Sequence, residues 1–413
     1  MKSIRSSRDS AASFFFTTTS RGRSSHFRCG RPITAASATA GWASSEILQF
    51  DGTDPFAAGL DDILGTVGDA FRWAADHGDL DAAATIATYG GWLGYSVQTY
   101  EPIAWAEELI EPARVADHPR LAFLYVMASL CYTTGRIEAA VGYSDAGQIV
   151  LGSSRDAPPG GIEAMLGGVY LAIGQPERLA EWCRTQLARR RDTPVHIRAW
   201  LVVALAVAAS GGEAMDSADG LIEAAEATGN PVFLSLALLA YGLAFRDADP
   251  VGALNALERG LVITQDSGER SLASALAVFL ARREAEHGGT VSAFDHVTLA
   301  IRNYHNAGDT TAIRVPLAVL AVLFDRLGRY QPAATIAGFA LSPMAATGVP
   351  EITTAIAHLR EVLGEATYES LARKGETMTT TAAMATYAYD QIDQARTDLE
   401  QRADSMGNTK GRG

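Results

Sequence analysis

The chain has 413 residues, of which 48% are hydrophobic and 20% charged, a composition typical of a folded protein with a large core. Its net charge of −13 argues against a general nucleic-acid-binding surface, because phosphate contacts need clustered Lys and Arg. Three widely spaced cysteines, Cys29, Cys131 and Cys183, exclude a disulfide scaffold and a Cys-x-x-Cys zinc pair. No charge-free apolar run reaches the roughly 18 residues of a membrane helix. We therefore expect a cytoplasmic protein that does not enter a membrane.

Residues 1–45 differ in composition from the rest of the chain. They carry seven Lys or Arg, one acid and eleven Ser, so their charge is +6 and the remainder carries −19. Such an acid-poor, Arg- and Ser-rich segment resembles an organelle transit peptide. A disordered basic leader, or a start codon assigned too far upstream, is the favoured interpretation, because no helical apolar stripe accompanies the arginines. We predict disorder for 1–45 and for the tail at 401–413.

From residue 57 to about 400 the hydrophobic pattern has the period of a helix. Apolar residues recur every three or four positions, as at Leu254, Leu257 and Leu261, and strict alternation is rare. Helix starts are marked by a capping residue followed by Pro, as at Asn230-Pro231. The sequence therefore predicts an all-α protein.

Two interleaved series of glycines divide this helical region into repeats. In each series the steps are about 37 to 40 residues, with Asp247 to Asp249 standing in for one glycine of the first series and a gap near Arg190 in the second, where Gly152 and Gly229 are 77 residues apart. We predict that each glycine is a structural turn residue that ends one helix in the left-handed conformation. The predicted turn glycines are Gly78, Gly135, Gly174, Gly211, Gly229, Gly268, Gly288, Gly308, Gly328 and Gly348.

A repeat of about 39 residues, made of two helices and two turns, lies between the tetratricopeptide and HEAT lengths. The predicted fold class is an all-α α-solenoid of tetratricopeptide-like helical hairpins. We place the solenoid at 57–348 and C-terminal capping helices at 349–400. Alanines shortly after the turns should let the two helices of a hairpin pack closely: Ala139, Ala140, Ala293, Ala333 and Ala334.

A search for catalytic motifs finds none. The sequence lacks a P-loop, a G-x-S-x-G elbow and an H-E-x-x-H pair. His287, His296 and His305 are nine residues apart, which places successive rings on opposite sides of a helix and not around a metal. We expect His287 to bind the carbonyls that end its own helix. The sequence predicts no catalytic, cofactor-binding or metal-binding residue, no cofactor, and no enzyme activity.

Two sets of side chains could instead bind a partner. One is a group of aromatic residues, for which core packing is the favoured interpretation over a ligand groove: Trp92, Trp105, Tyr132, Tyr170, Trp182, Trp200, Tyr241, Tyr304 and Tyr330. The other is a basic cluster, interpreted as a charged helix end or, alternatively, a surface for an acidic partner: Arg184, Arg189, Arg190, Arg191 and Arg198.

Two segments carry a resemblance to a known family. Leu60 to Leu64 with Phe71 to Asp79 resembles the opening of the helical-repeat region of large bacterial AfsR/LuxR-type signalling ATPases, which include actinobacterial relatives with a cyclase domain. The stretch Leu327 to Gly338, followed by Leu359 to Tyr368 and Gly375, is similar to the closing segment of the same group. The resemblance spans roughly residues 57 to 395.

The resemblance implies a tetratricopeptide-like scaffold from a transcriptional-regulation system. Full-length members add an ATPase module and often a DNA-binding or cyclase domain, and this sequence matches only the array. We therefore expect a non-catalytic protein-interaction or ligand-sensing module whose partner is a signalling ATPase, a DNA-binding regulator or a small-molecule inducer. Alternatives are a LuxR-type transcription regulator that acts on DNA through a partner subunit, and an enzyme with an unrecognised site on the solenoid. Direct nucleic-acid or membrane binding is not expected.

Overall fold

The computed structural model describes residues 55–153, 159–190, 194–287, 289–378 and 380–410, and across these ranges it contains helices and turns but no strand. The α-helices in chain order are α1 Pro55–Asp76, α2 Leu80–Val97, α3 Glu101–Val115, α4 Leu121–Ser129, α5 Ile137–Ser153, α6 Gly168–Ala172, α7 Pro176–Arg189, α8 Val195–Val207, α9 Gly211–Ala218, α10 Leu221–Ala227, α11 Pro231–Ala244, α12 Pro250–Ser267, α13 Arg270–His287, α14 Thr290–Ala307, α15 Arg314–Arg326, α16 Tyr330–Ala340, α17 Pro343–Gly348, α18 Glu351–Leu363, α19 Glu365–Glu376 and α20 Thr381–Lys410. Short 3₁₀ helices occupy Leu130–Thr134 and Pro159–Gly167. The predicted all-α helical-repeat solenoid is confirmed.

Most of the predicted turn glycines adopt the left-handed backbone that ends a helix. Positive φ angles occur at Gly78, Gly135, Gly174, Gly229, Gly268, Gly308 and Gly328. Gly268 and Gly308 end α12 and α14, where their N–H groups reach back to the carbonyls of the last turn.

Three of the predicted turn glycines need separate treatment. Gly211 does not end a helix but begins α9, because Ala209 takes the left-handed conformation of that turn with φ 59°. Gly348 is the last residue of α17, and the chain leaves the helix through Val349, which has φ −134° and ψ 70°. Gly288 lies outside the described residues.

Two further residues with positive φ extend both turn series toward the N-terminus. Gln98 has φ 60° and ends α2, and Asp117 has φ 49° in the turn after α3. Gln98 precedes Gly135 by 37 residues and Asp117 follows Gly78 by 39. The repeat period therefore includes the first hairpins, where sequence alone showed only Gly78.

The core follows the array from end to end. Helices α8, α11 and α15 are apolar on almost every side because neighbouring helices cover them all round. Two hydrophobic clusters, one from Phe71 to Leu280 and one from Ala277 to Ala395, meet at α13, which is buried toward both. Ala140, Ala293, Ala333 and Ala334 are fully buried as predicted, whereas Ala139 is exposed.

The C-terminal segment packs through two glycines at a close helix crossing. A Cβ atom on Gly338 would lie 2.1 Å from the carbonyl oxygen of Ala372, and one on Gly375 would lie 1.9 Å from that of Thr335. Helices α16 and α19 can therefore cross only because both positions lack a side chain. Buried Leu359 adds to the same cluster.

Disorder was predicted for a segment at each end of the chain, and the structure describes only one of the two. The leader at 1–45 lies outside the described residues. At the other end the backbone of α20 stays helical to Lys410, where a disordered tail was predicted from residue 401. The segment contains no proline, so nothing in it removes a helix hydrogen bond.

Replacing Gly375 with Ala should destabilise the protein. The added methyl group would overlap the Thr335 carbonyl, and overpacking of this kind typically costs about 1 to 3 kcal/mol in the free energy of unfolding. Urea denaturation followed by circular dichroism measures the change.

Gly142→Ala is the matched control, since a Cβ atom there meets nothing within 4 Å and the residue lies within α5. It should be neutral or stabilising by up to about 1 kcal/mol. Equal effects of the two substitutions would show that α16 and α19 do not cross as described.

Candidate functional site

The array folds back so that its early hairpins contact a loop about 180 residues later in the chain. The Thr310 N–H donates to the Thr133 carbonyl at 2.9 Å, and the Thr311 hydroxyl donates to the Tyr132 carbonyl at 2.6 Å. The Tyr100 hydroxyl donates to Asp309 Oδ2 at 3.1 Å. We call this set of hydrogen bonds the closing contact, because it joins two parts of the solenoid that the local repeat does not bring together.

The acids of the closing contact arise from a repeated turn. A glycine followed by an acid or Asn precedes a helix in four hairpins, at 78–79, 229–230, 268–269 and 308–309. In each case the second residue accepts hydrogen bonds from N–H groups of the next turn, as an N-cap does. Asp309 Oδ1, for example, accepts from Thr311 N at 3.0 Å and from Ala312 N at 2.7 Å.

Two of these caps, Glu269 and Asp309, are buried, and their environment raises the pKa of both. Burial raises the pKa of the Asp309 carboxyl from 3.8 to about 7, against the opposing N–H and Tyr100 hydrogen bonds. Burial likewise raises the pKa of Glu269 from 4.5 to about 8, although backbone N–H groups favour its charged form. Both carboxyls therefore titrate close to neutral pH.

Four tyrosines surround the two carboxyls. Tyr100, Tyr132 and Tyr304 are buried, and burial followed by nearby acidic or tyrosine groups raises their pKa well above the ordinary value. Tyr95 lies beside Tyr132 and Ser271. Burial raises its pKa, and the nearby Glu269 and Asp309 raise it further. The tyrosines are thus neutral hydroxyl donors in this cluster.

Two turn glycines allow the close approach. A Cβ atom on Gly135 would lie 2.8 Å from the Thr310 hydroxyl, and one on Gly174 would lie 3.1 Å from Pro343 Cβ. Both glycines already require positive φ. They therefore have a second reason to be glycine that the repeat pattern does not reveal.

Gln98 is an unusual residue beside the closing contact. It is 5% exposed and has a positive φ, and neither polar atom of its amide has a hydrogen-bond partner among the described residues. A buried amide without partners costs stability, and a left-handed non-glycine adds strain. The chain between α2 and α3 is tied to the end of α2 by backbone hydrogen bonds from Gln98 N to the Tyr95 carbonyl at 3.2 Å and from Thr99 N to the Gly94 carbonyl at 2.7 Å.

A cavity of about 260 Å³ lies between distant repeats. Its walls come from the turn before α7, the end of α8, the end of α11, the middle of α13 and the short helix α17. The Gly174–Pro343 approach adjoins it, since Gly174 also lines the cavity. A volume of this size lies just below the usual range of ligand pockets, about 300–1,000 Å³.

The cavity wall is mostly apolar with a few charged groups. Leu243, Val207 and Phe279 supply apolar surface, and Arg246 and Arg282 supply the positive charges. Arg282 is committed to the protein, because it donates to the Gly348 carbonyl at 3.2 Å and pairs with Glu351. Arg246 lies 3.4 Å from Asp247, whose side chain is 88% exposed.

The described members of the predicted basic cluster contact the chain itself. Arg184 pairs with Glu213, and Arg190 lies 2.6 Å from the buried Glu163. Arg189 binds the carbonyls at the end of α5, and Arg198 binds the Asp219 carbonyl at 2.8 Å. Arg191 lies outside the described residues. Each of the four arginines thus has a contact within the chain, of the kind expected for charged helix ends.

The predicted aromatic set divides into two groups. Trp105, Tyr132, Tyr170, Trp182 and Tyr304 are buried, as core packing predicts, and the other four are half-buried.

Two of the half-buried rings, Trp92 and Trp200, pack around His196 together with Phe233. Burial lowers the pKa of His196 to about 4, so this ring is neutral and donates or accepts within the core.

The three histidines singled out in the sequence do not come together. His287 Nδ1 lies 2.8 Å from the Arg283 carbonyl, which confirms its predicted contact with the end of its own helix. His296 pairs with Glu284 at 2.8 Å. Among the residues that the structure describes, no group of His, Cys, Asp or Glu could hold a metal ion, and no helix is long and apolar enough to cross a membrane.

The residues of the closing contact were not singled out in the sequence, apart from Tyr132 and Tyr304. The signal that could have found them is the glycine-acid turn at 268–269 and 308–309, read together with tyrosines at 95 and 100. That pattern places an acid at a helix start but does not show that another repeat covers it.

Comparisons with known proteins identify a similar fold only at low similarity. No protein-family profile matches the chain, and no curated protein matches it in sequence. One similar solved structure is that of a Rap protein complexed with competence and sporulation factor, with 10% sequence identity, a TM-score of 0.44, and coverage of 82% of this chain and 99% of the other.

Replacing Tyr100 with Phe should weaken the closing contact. The substitution removes the only side-chain donor to Asp309 Oδ2 given by the described residues, and a buried group left without its partner costs about 1 to 3 kcal/mol in unfolding free energy. Chemical denaturation measures the loss.

Tyr241→Phe is the matched control, because the half-buried Tyr241 also lies near an N-cap acid, Asp249, which is exposed. It should change stability by less than about 0.5 kcal/mol. A loss at Tyr100 no larger than that at Tyr241 would contradict a buried contact across the array.

Proposed function

We propose that the chain is a non-catalytic helical-repeat scaffold that senses a ligand in the cavity between its repeats. The observation that carries the proposal is the cavity itself, whose walls come from five separate places in the array. A ligand that contacts all of them stabilises one curvature of the solenoid over others, because each repeat otherwise contacts mainly its neighbours. Binding is thereby converted into a change of surface that a partner protein can read.

The chemistry of the wall suggests the class of ligand. Apolar side chains from α8, α11 and α13 favour a small molecule with a substantial apolar part. Arg246, which is 31% exposed and lies against a largely exposed Asp247, is the charged group best placed to exchange its partner for a ligand oxygen. Arg282 already pairs with Glu286 and Glu351, so it supports the cavity wall and is not free to bind a ligand.

We further propose that the partner is a signalling ATPase or a DNA-binding regulator, with the chain acting in the cytoplasm. This rests on the resemblance to the AfsR/LuxR-type group, whose closing-segment residues here have structural roles. Gly338 and Gly375 permit the α16–α19 crossing, and Arg360 lies over the ring of buried Tyr368 at 4.7 Å. A LuxR-type regulator that acts through a partner subunit is the alternative, and the net charge of −19 after residue 45 favours partner-mediated over direct DNA contact.

Filling the cavity tests the proposal. The full chain is purified from its native cells under non-denaturing conditions, and native mass spectrometry detects bound small molecules and stoichiometric partner proteins. Ala346→Trp places a large ring in the cavity wall and should abolish small-molecule retention. Ala382→Trp, on the exposed side of α20, should retain the ligand fully.

The outcomes separate the two parts of the proposal. A ligand lost only from Ala346→Trp supports sensing, and a P-loop or DNA-binding protein at equal stoichiometry supports the regulator assignment. A ligand retained by both variants would place binding elsewhere. A folded chain that retains neither ligand nor partner would contradict the proposed function.

A further inference from the structure

The closing contact combines long-range hydrogen bonds with two buried acids, and the packing of helices alone requires neither feature. Its hydrogen bonds join residues separated by 177 to 209 positions, so each one is lost if the array opens. Asp309 is 2% exposed and Glu269 is 5% exposed. The equivalent caps of other repeats differ in burial, because Asp79 is half-buried and Asp249 is exposed.

We propose that the closing contact is a proton-controlled latch, in which the array stays closed while Asp309 and Glu269 are neutral and their ionisation releases the two parts of the solenoid that the contact joins. Opening of the latch would also loosen the second long-range approach of the array, that of Gly174 to Pro343, and Gly174 lines the cavity. The inference deepens the proposed ligand sensor by naming its regulation.

The groups that face Asp309 do not supply a compensating positive charge. They are the hydroxyl of Tyr100 before α3, Tyr95 on α2, Tyr132 on the 3₁₀ helix after α4 and Tyr304 on α14. Glu269, before α13, acts on Tyr95 and Tyr304 as Asp309 does. All five groups are neutral or acidic. A carboxylate in this cluster is therefore stabilised by hydrogen bonds and not by a neighbouring positive charge.

The direction of the pH effect follows from the raised pKa values. In an open array the carboxyls are hydrated and return toward ordinary values near 3.8 and 4.5. Protonation therefore favours the closed form, and this contribution is complete below about pH 4. It declines as the pH rises and is lost above about pH 7 for Asp309 and about pH 8 for Glu269.

Hydrogen exchange of the Thr310 amide reports the latch directly, since its N–H is bonded to Thr133 across the contact. The experiment uses the full chain without ligand and follows the peptide around 306–312 by mass spectrometry, corrected for the intrinsic pH dependence of exchange. The protection factor should fall at least tenfold between pH 5.5 and pH 7.5. A peptide within α11 serves as the internal reference for global unfolding.

Three variants make the test specific. Asp309→Asn keeps a neutral side chain of the same shape, and combined with Glu269→Gln it should remove the pH dependence while circular dichroism shows a folded helical protein. Asp79→Asn, the same kind of cap in the first hairpin, should retain the full pH dependence. Small-angle scattering of the wild-type chain should show expansion over the same pH range.

The proposal is overturned if protection of Thr310 is independent of pH, or if the double variant keeps the wild-type dependence. It is also overturned if the reference peptide in α11 loses protection in parallel, because that result assigns the effect to unfolding. None of these measurements needs a ligand, so a cavity that binds nothing would refute the proposed function and leave the latch standing.

Discussion

The burial of two helix-capping acids at the closing contact constrains the arrangement of the whole array. An N-cap acid at a solvated helix end stays charged at little cost in free energy, because water and backbone N–H groups stabilise its charge. Asp309 has the same N–H partners but is covered by hairpins from an earlier part of the chain. The free-energy cost of burying Asp309 must be offset by the hydrogen bond from the Tyr100 hydroxyl and by the packing on either side. The curvature of the solenoid therefore depends on one polar cluster.

The curvature in turn creates the cavity. A solenoid whose repeats touch only their neighbours has an open inner surface, and pockets between distant repeats exist only where the array returns to itself. Here the return is made at Gly135 against Thr310 and at Gly174 against Pro343. The same glycines that end helices therefore set how closely two parts of the solenoid approach.

The sequence predicted the local level of this structure well. The hydrophobic period predicted the helices, and seven of the nine turn glycines that the structure describes have the left-handed backbone that the repeat requires. The exception at Gly211 has a local cause, since Ala209 accepts the strained angle and leaves the glycine inside α9. Gln98 was not predicted as a turn, because the sequence signal for a left-handed turn is a glycine and this position is occupied by Gln.

The candidate site lay beyond sequence reasoning for a different physical reason. The cavity and the closing contact depend on the superhelical curvature, which sums small rotations at every helix interface. A pattern of local turns fixes each hairpin but not that sum. Tyr100 and Asp309 are 209 residues apart, and neither lies in a sequence motif that identifies the other as its contact.

The most direct test of the account is a disulfide placed across the closing contact. A Cβ atom at position 135 would lie 4.0 Å from Thr310 Cβ, which is within the range of about 3.5 to 4.5 Å for a disulfide. In a chain with Cys29, Cys131 and Cys183 replaced by Ala, Gly135→Cys places a side chain at φ 84°, which costs about 1 to 2 kcal/mol. The double variant Gly135→Cys with Thr310→Cys should still form this bond under mild oxidation and stay helical and monomeric. A folded chain that leaves both thiols free would contradict a solenoid closed on itself.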